Sequence, residues 1–263
     1  MNTVQPEDLT TVLEGISQVR RHAGASVLTN YFGKLHSTGP FPSILTEDAV
    51  LFLDADRDFQ HVLFAAASPT ALGRLLQSCP CGIYSLDYVT KSFSQEWEDA
   101  FQRNRFTRRA TYQRIASALP KFPSVKGSTE FAREDEAENL YQRLPAVFDR
   151  YMDHLASLEE MREMIRDHRV LVNRMNGTIA GLFIFQIHGQ RAHLNHWWNS
   201  MEVGPHAGLE LLIRAYNEMA LRGVKLVHAW VNETNHRVIR IHRHFGLVPD
   251  GLWNYVYFRN DYA

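Results

Sequence analysis

The stretch that decides the fold lies near the carboxyl end of the chain, at residues 231–247, and reads VNETNHRVIRIHRHFGL. The apolar run before it, residues 226–231, predicts a strand, and the two Asn and one Thr that follow offer side-chain oxygens suited to a helix N-cap. Apolar residues then recur at helical spacing until Gly246, a typical helix stop. Residues 252–258 predict another strand. The stretch therefore predicts a strand, a capped short helix and a strand.

The bulk properties of the chain are those of an ordinary globular protein. Of its 263 residues, 45% are hydrophobic and 22% are charged, and the formal net charge is −1. A balance this close to neutral gives no global field that attracts nucleic acid or an anionic membrane. No apolar run approaches the ~20 residues of a membrane span, and the first ten residues lack the basic and apolar regions of a secretory signal. We therefore expect a cytoplasmic protein with no membrane partner.

The two cysteines, Cys79 and Cys81, form one Cys-x-Cys pair around Pro80. A cysteine metal site requires further ligands at suitable spacing, and a secreted disulfide scaffold requires more cysteines. We expect two reduced thiols and no metal.

A break in periodicity separates two halves of the chain. Residues 119–128 contain two prolines, one glycine and two serines, which interrupt any regular element. We predict two domains, residues 1–122 and residues 128–263.

The two halves share an order of predicted elements. In the first half these are helices at residues 12–22, 69–77 and 95–102 and strands at residues 49–54, 60–67, 82–89 and 109–115. In the second half, helices at 134–149 and 158–167 precede strands at 169–175, 178–187 and 191–198, a helix at 209–222 and the terminal segment. The dipeptide Asn176-Gly177 predicts a hairpin turn. Antiparallel strands that feed strand–helix–strand units indicate an α/β fold with a mixed sheet covered by helices.

The terminal segment resembles the last segment of the GNAT superfamily of acyl-CoA N-acyltransferases. Asn235, His242 and Gly246 fall on the family pattern Asn-x-x-x-x-x-Leu-Tyr-x-Lys-x-Gly-Phe. The resemblance covers residues from about 128 to 260, and the first half only by element order. It implies two GNAT-like domains, each a mostly antiparallel sheet flanked by helices, of which the first is degenerate. It also implies transfer of an acyl group from a CoA thioester to an amine by direct attack.

The resemblance implies functional roles for two residues of this segment. In family members the asparagine bonds the pantetheine or its neighbouring backbone, so Asn235 is a candidate binding residue. The aromatic position commonly supplies a Tyr that protonates the departing thiolate, and His242 stands there in this chain. An imidazole can donate a proton near neutral pH, because its unperturbed pKa is about 6.5.

The candidates for a general base lie on the strand at residues 191–198 and in the residues just after it. This base must keep the attacking amine neutral. His196 and Glu202 are these candidates. Side-chain alternation places His196 and Trp198 on one face of the strand and Trp197 on the other. Such a concentration of His, Asn and Trp is unusual for a buried strand and indicates the wall of a pocket.

The loop before the helix at 209–222 is where GNAT proteins hold the pyrophosphate, with the pattern Arg/Gln-x-x-Gly-x-Gly/Ala. Residues 203–208 read VGPHAG, and only the final glycine matches. Val203 stands where Arg or Gln is expected, and His206 stands at the middle glycine. The candidate cofactor-binding residues are Trp198, Met201, Val203, Gly204, His206, Ala207, Gly208 and Asn235.

This departure leaves the acyl donor open. The expected co-substrate is acetyl-CoA or another acyl-CoA, and the expected partner is a small-molecule amine. An aminoacyl-tRNA is the first alternative, for which a basic stripe of Arg237, Arg240 and His244 would have a use. A donor carried on a protein phosphopantetheine arm is another, and a non-catalytic ligand-binding pair of domains is the last. The acceptor and the oligomeric state are not readable from the sequence.

Overall fold

A computed structural model of the chain describes residues 4–23, 27–32, 35–122, 129–200, 202 and 204–263. The chain divides into two compact units. The first unit is Met1–Tyr112 with Leu252–Ala263, and the second is Gln113–Gly251.

The compact units differ from the predicted domains in where they place the carboxyl-terminal residues. Strand β13 (Val248–Asn260) pairs antiparallel with β6 (Ile83–Thr90) of the first unit, from Trp253 opposite Thr90 to Asn260 opposite Ile83. This pairing assigns the end of the chain to the first unit, whereas the sequence assigned it to the second domain. The predicted seam itself stays a prediction, since residues 123–128 lie outside the described residues.

The first unit is a mostly antiparallel sheet with helices on both faces. Its strands are β1 (Gln5–Glu7), β2 (Leu28–Thr29), β3 (Phe41–Leu45), β4 (Ala49–Asp56), β5 (Phe59–Ala66), β6, part of β7 (Thr107–Ala118) and part of β13. The order is β1-β3-β4-β5-β6-β13, with β2 also beside β5, and the β5–β6 pair is parallel. Helices α2 (Pro69–Leu76) and α3 (Gln95–Arg103) cover one face, and α1 (Leu9–Ala23) covers the other.

The second unit repeats this arrangement. Its strands are β8 (Glu130–Phe131), β9 (Val170–Met175), β10 (Thr178–His188), β11 (Arg191–Asn199) and β12 (Leu226–Asn232), with the remaining parts of β7 and β13. The order is β12-β11-β10-β9-β8, and the β11–β12 pair is parallel. Helices α6 (Gly204–Leu221) and α7 (His236–His244) cover one face, and α4 (Ala137–Val147) and α5 (Leu158–Arg166) cover the other.

The predicted α/β class with two similar mixed-sheet domains is therefore confirmed. Asn176 and Gly177 both have positive φ, 52° and 79°, as a type I′ hairpin turn requires. Sequence patterns missed strands β1, β2, β3 and β8, because three of these are too short for periodicity and β3 contains a proline. Among the described residues, no helix is both long and apolar enough to cross a membrane.

One predicted boundary is wrong in a way that bears on function. Helix α6 begins at Gly204 and not at residue 209, so most of the predicted loop forms the first turns of the helix. Proline suits the first turn of a helix, since its missing N–H would have no partner there. The Gly-Pro dipeptide at residues 204 and 205 marks the start of the helix.

Candidate functional site

The parallel strands β11 and β12 pair only over their first halves. The register runs from Arg191 opposite Leu226 to Leu194 opposite Ala229. Both strands continue for several more residues, and over these described residues no pairing joins them. The carboxyl-terminal halves thus leave a gap in the sheet of the second unit, along which backbone groups of β11 can bond a ligand.

A β-bulge in β11 lies at the start of this gap. His196 pairs with Ile184 of β10 and Leu194 pairs with Phe185, so Asn195 is the extra residue. A bulge bends its strand and changes the direction of the side chains that follow. Ile184 belongs to the core beneath α4 and α5, which places His196 on that face of the sheet.

Two asparagines fix the start of α6 beside the gap. Asn199 donates from Nδ2 to the carbonyl oxygens of Gly204 at 2.9 Å and Ser200 at 3.0 Å. Asn173 of β9 donates from Nδ2 to the carbonyl of Ala207 at 3.0 Å and to Oδ1 of Asn199 at 3.5 Å. Strands β9 and β11 therefore both hold the first turn of the helix.

Gly181 of β10 makes room for this amide pair. A Cβ atom at this position would lie 2.3 Å from Oδ1 of Asn173 and 2.7 Å from Oδ1 of Asn199. Both distances are far below van der Waals contact, so only glycine permits this packing. The glycine allows the close approach that its place inside a strand indicates.

Several buried polar atoms of the second unit lack a hydrogen-bond partner within the described chain. Four of these atoms, on β9, β11 and α7, are Oδ1 of Asn173, Oδ1 of Asn195, Nε1 of Trp197 and Nδ1 of His242. An unsatisfied buried polar atom costs about 1–3 kcal/mol, so native proteins retain few of them without a reason. Those of Asn195 and Trp197 lie on β11, the strand that borders the gap.

His242 lies beneath Trp197 on the face covered by α6 and α7. Its side chain is 3% exposed, and the two rings meet edge to face with centroids 5.8 Å apart. Burial lowers the pKa of His242 from its ordinary value of 6.5 to about 4. The imidazole is therefore neutral at physiological pH and offers an N–H donor and a nitrogen acceptor.

His196 and Trp198 lie on the opposite face, against α4 and α5. The ring of His196 packs edge to face on Phe148 at 4.9 Å, and its Nε2 donates to the carbonyl oxygen of Asp153 at 3.0 Å. The guanidinium of Arg143 lies 5.3 Å from the ring centroid of Trp198. The side-chain alternation read from the sequence thus agrees with the faces that these residues occupy.

The remaining predicted residues occupy several environments. Glu202 is exposed, and its backbone N–H donates to Oγ of Ser200 at 3.3 Å. Met201 and Val203 lie outside the described residues. Asn235 is exposed and accepts from the N–H of Val238 at 3.2 Å, so its side chain caps α7.

The predicted loop residues from Gly204 to Gly208 belong to the first turns of α6. His206 is exposed and Gly208 is buried. A Cβ atom at Gly208 would contact Trp197 and Asn199 at an ordinary 3.5 Å. Gly204 and Ala207 bind the two asparagine amides through their carbonyl oxygens. The functional roles of all these residues stay predictions.

The first unit contains a corresponding divergence of strands. Its parallel strands β5 and β6 pair at Gln60 opposite Tyr84 and at His61 opposite Ser85. Beyond these residues, β2 pairs with β5, from Leu28 opposite Ala66. The end of β5 that corresponds to the gap of the second unit is thus occupied by the chain itself.

Asn30 completes this closure of the first unit. Its Nδ2 donates to the carbonyl oxygens of Val62 at 2.8 Å and Asp87 at 3.1 Å, and its Oδ1 accepts from the N–H of Phe64 at 2.8 Å. A single side chain therefore joins β5 to β6 where the corresponding strands of the second unit stand apart.

Sequence reasoning missed Asn173 and Gly181. Each carried a signal, because an asparagine interrupts the apolar run of β9 and a glycine interrupts that of β10. A glycine inside a strand often marks a close approach of neighbouring groups. The partner of each residue lies on another element, which a periodicity argument cannot supply.

Comparison with known proteins identifies the fold. No protein-family model and no curated protein sequence matches the chain. A GCN5-related N-acetyltransferase from Sphaerobacter thermophilus superposes with a TM-score of 0.58 at 15% identity, over 82% of each chain. A tandem GNAT protein from the clavulanic acid biosynthesis pathway gives 0.55 at 12% identity, over 99% of this chain and 90% of that one. A Drosophila protein gives 0.61 at 12% identity, over 99% and 100%.

The chain therefore has the GNAT fold, in two copies. Structural neighbours at these identities establish the fold and leave the reaction to be argued from the site.

Proposed function

We propose that the second unit transfers an acyl group from a CoA thioester to a small-molecule amine. The observation that carries the proposal is the gap between β11 and β12, bordered by the start of α6 and by buried polar atoms without partners. Acetyltransferases among the structural neighbours support the same reaction class at the level of the fold.

The start of α6 suits the pyrophosphate of an acyl-CoA. The first N–H groups of a helix have no partner within the helix, and the helix dipole favours an anion there. No acidic residue lies in the first turn of α6 to compete for these groups. Asn199 and Asn173 hold this turn rigidly by its carbonyl oxygens, so the N–H groups are preorganised without the usual glycine-rich loop.

The gap would bring donor and acceptor together from opposite faces of the sheet. The thioester arm would lie along the unpaired edge of β11, and the amine would approach from the face that carries His196 and Trp198. Because Nε2 of His196 donates to the Asp153 carbonyl, Nδ1 is its basic nitrogen. In this proposal His196, or the exposed Glu202, takes the amine proton directly or through water.

His242 would act on the departing sulfur as a neutral ring. An imidazole with a pKa of about 4 holds almost no imidazolium at pH 7, so its N–H stabilises the thiolate by hydrogen bonding. An acceptor that arrives as an ammonium ion gives up two protons: His196 or Glu202 takes the first, and the second leaves the tetrahedral intermediate for the other nitrogen of His242 while the His242 N–H passes a proton to the sulfur. This role refines the proton-donor role that the sequence suggested for His242.

Binding and turnover together test the proposal. Acetyl-CoA at 100 times its dissociation constant should raise the melting temperature of the full chain by about 5 °C, because it binds only the native state. An amine panel should then release free thiol from acetyl-CoA or a longer acyl-CoA, while GTP serves as a control polyphosphate. A shift with tRNA and none with any acyl-CoA would overturn the proposal in favour of an aminoacyl-tRNA donor. Binding without thiol release from any amine would favour a ligand-binding protein.

A further inference from the structure

A partly buried arginine of the second unit lacks a counter-ion. Arg143 lies on α4, and its Nε is buried without a hydrogen-bond partner. Three other arginines also have a buried nitrogen without a partner, and each of these pairs with a carboxylate: Arg169, Arg174 and Arg214. Among the residues that the structure describes, neither an ion pair nor a hydrogen bond holds the guanidinium of Arg143. An unpaired charge removed from water is costly, so this burial favours the binding of an anion.

Helix α4 presents Arg143 at the edge of its buried face. Leu140 and Leu144 of this helix are buried in the core that covers β9 and β10. Arg143 precedes Leu144 by one residue, which is about 100° around the helix, so its side chain leaves the core sideways. Its guanidinium carbon lies 5.3 Å from the ring centroid of Trp198 on β11. The charge therefore lies over the strand that borders the gap.

Contact with Trp198 positions the guanidinium but supplies no acceptor for its N–H groups. Attraction between the cation and the tryptophan ring restricts where the guanidinium can lie. Arginine carries five N–H donors in a planar fork, and two of them match the two oxygens of a carboxylate. A cation that is already held in place loses less conformational freedom when it binds such a group. Arg143 thus has the geometry of a preorganised carboxylate receptor.

The guanidinium lies on the face of the sheet from which the proposed acceptor would approach. His196 and Trp198 are two residues apart on β11, so their Cα atoms lie about 6.6 Å apart. Phe148, which directly follows α4, packs on the ring of His196 with centroids 4.9 Å apart. The end of α4 therefore covers both strand residues. An acceptor whose amine meets Nδ1 of His196 would present a group only a few bonds away to Arg143.

We propose that Arg143 binds a carboxylate of the acceptor, so that the substrate amine is an amino acid. This assignment rests on the proposed function, since it names the chemical class of the acceptor in that reaction. One guanidinium balances the single charge of a carboxylate, whereas a phosphate monoester carries close to two charges at neutral pH. A plain amine would leave the charge of Arg143 buried without a partner.

Matched amines with and without a carboxylate test the assignment. The common amino acids are each paired with the amine that lacks the carboxylate, such as phenylalanine with phenethylamine and lysine with cadaverine. Thiol release from acetyl-CoA by the full chain measures kcat/KM for both members of each pair. At least one amino acid should exceed its partner amine at least about tenfold, because the partner cannot form the charge-assisted contact.

Arg143→Met removes the charge and keeps a long side chain against Trp198. It should lower kcat/KM for the preferred amino acid on the order of 10–100-fold and change that of the partner amine less than about threefold. Arg143→Lys keeps the charge but not the planar fork, so it should retain only part of the preference. The matched control is Arg162→Met, which removes an exposed arginine of α5. Both values should then equal those of the unmodified chain.

A binding measurement separates this inference from the proposed function. Saturation-transfer NMR in the presence of CoA should show that the amino acid binds, that its partner amine does not, and that Arg143→Met removes the difference. This result would support the carboxylate site even without thiol release, in which case acyl transfer alone fails.

Two results would overturn the carboxylate site. One is thiol release with equal kcat/KM within every pair, or with the same preference in Arg143→Met as in Arg162→Met, which would leave acyl transfer intact. The other is that no amino acid of the panel binds or reacts. Circular dichroism identifies a variant that fails to fold, and the Arg143→Lys variant then decides.

Discussion

Replacing His242 with glutamine is expected to lower kcat for amine acylation on the order of 10²–10³-fold, with little change in the KM for acyl-CoA. The neutral imidazole meets the departing sulfur in the proposed reaction, and glutamine donates a hydrogen bond but relays no proton. Steady-state thiol release measures both parameters. His244→Gln is the matched control, because His244 lies on the same helix and is exposed. Full activity in His242→Gln would remove the residue from the chemistry.

The same variant has a second readout, the pH dependence of stability, which tests whether His242 is buried as a neutral ring. The native pKa of His242 is about 4 against an ordinary 6.5, so the unfolded chain binds this proton at higher pH than the native chain. The contribution of this pKa difference to the free energy of unfolding is fully present above pH 6.5 and is lost as the pH falls toward 4. Protonation linked to His242 alone should lower the free energy of unfolding by about 2 kcal/mol between pH 7.5 and pH 5. Burial also lowers the pKa of His228 to about 4. Because His228 titrates in both the unmodified chain and the His242→Gln variant, the difference between these two proteins isolates His242.

Replacing Gly181 with alanine is expected to have the largest effect on ligand binding. Its Cβ would lie 2.3 Å from Oδ1 of Asn173 and 2.7 Å from Oδ1 of Asn199, so both amides must move. These amides hold the first turn of α6, and their displacement should weaken acetyl-CoA binding on the order of 100-fold. Overpacking should also cost about 1–3 kcal/mol of unfolding free energy.

Gly73→Ala is the matched control for this substitution. A Cβ atom at Gly73 would meet Nδ2 of Asn104 at an ordinary 3.6 Å, on helix α2 of the first unit. Alanine is the better helix former, so stability should hold or rise. Calorimetry with acetyl-CoA and urea unfolding compare the two variants. If Gly181→Ala binds acetyl-CoA as tightly as Gly73→Ala, the asparagine pair has no part in the site.

Local sequence patterns predicted most elements of the fold because their signals are local. The N-cap at Asn235, the stop at Gly246 and the hairpin at Asn176-Gly177 each depend on a few adjacent residues. Side-chain alternation along β11 likewise separated His196 and Trp198 from Trp197. These features follow from backbone geometry alone.

The sequence patterns could not predict contacts between elements that are far apart along the chain. The amide of Asn173 meets Ala207 across 34 positions, and that of Asn30 meets Asp87 across 57. The pairing of β13 with β6 is equally remote, and no local pattern indicates that Leu252–Ala263 belong to the first compact unit. The early start of α6 was missed because the family pattern placed a loop there.

The contrast between the two units could not be read from the sequence for the same reason. In the first unit Asn30 bonds both β5 and β6, whereas β11 and β12 of the second unit part without such a bridge in the described chain. No pattern within residues 27–32 indicates this role. The contrast supports acyl-CoA binding by the second unit.

A structure of the full chain with bound CoA tests this claim most directly. The proposal predicts the pantetheine arm along the edge of β11 between β11 and β12, the pyrophosphate at the N–H groups that begin α6, and the sulfur beside His242. CoA bound at β5 and β6 of the first unit would contradict it. So would a second unit whose gap stays empty at saturating CoA.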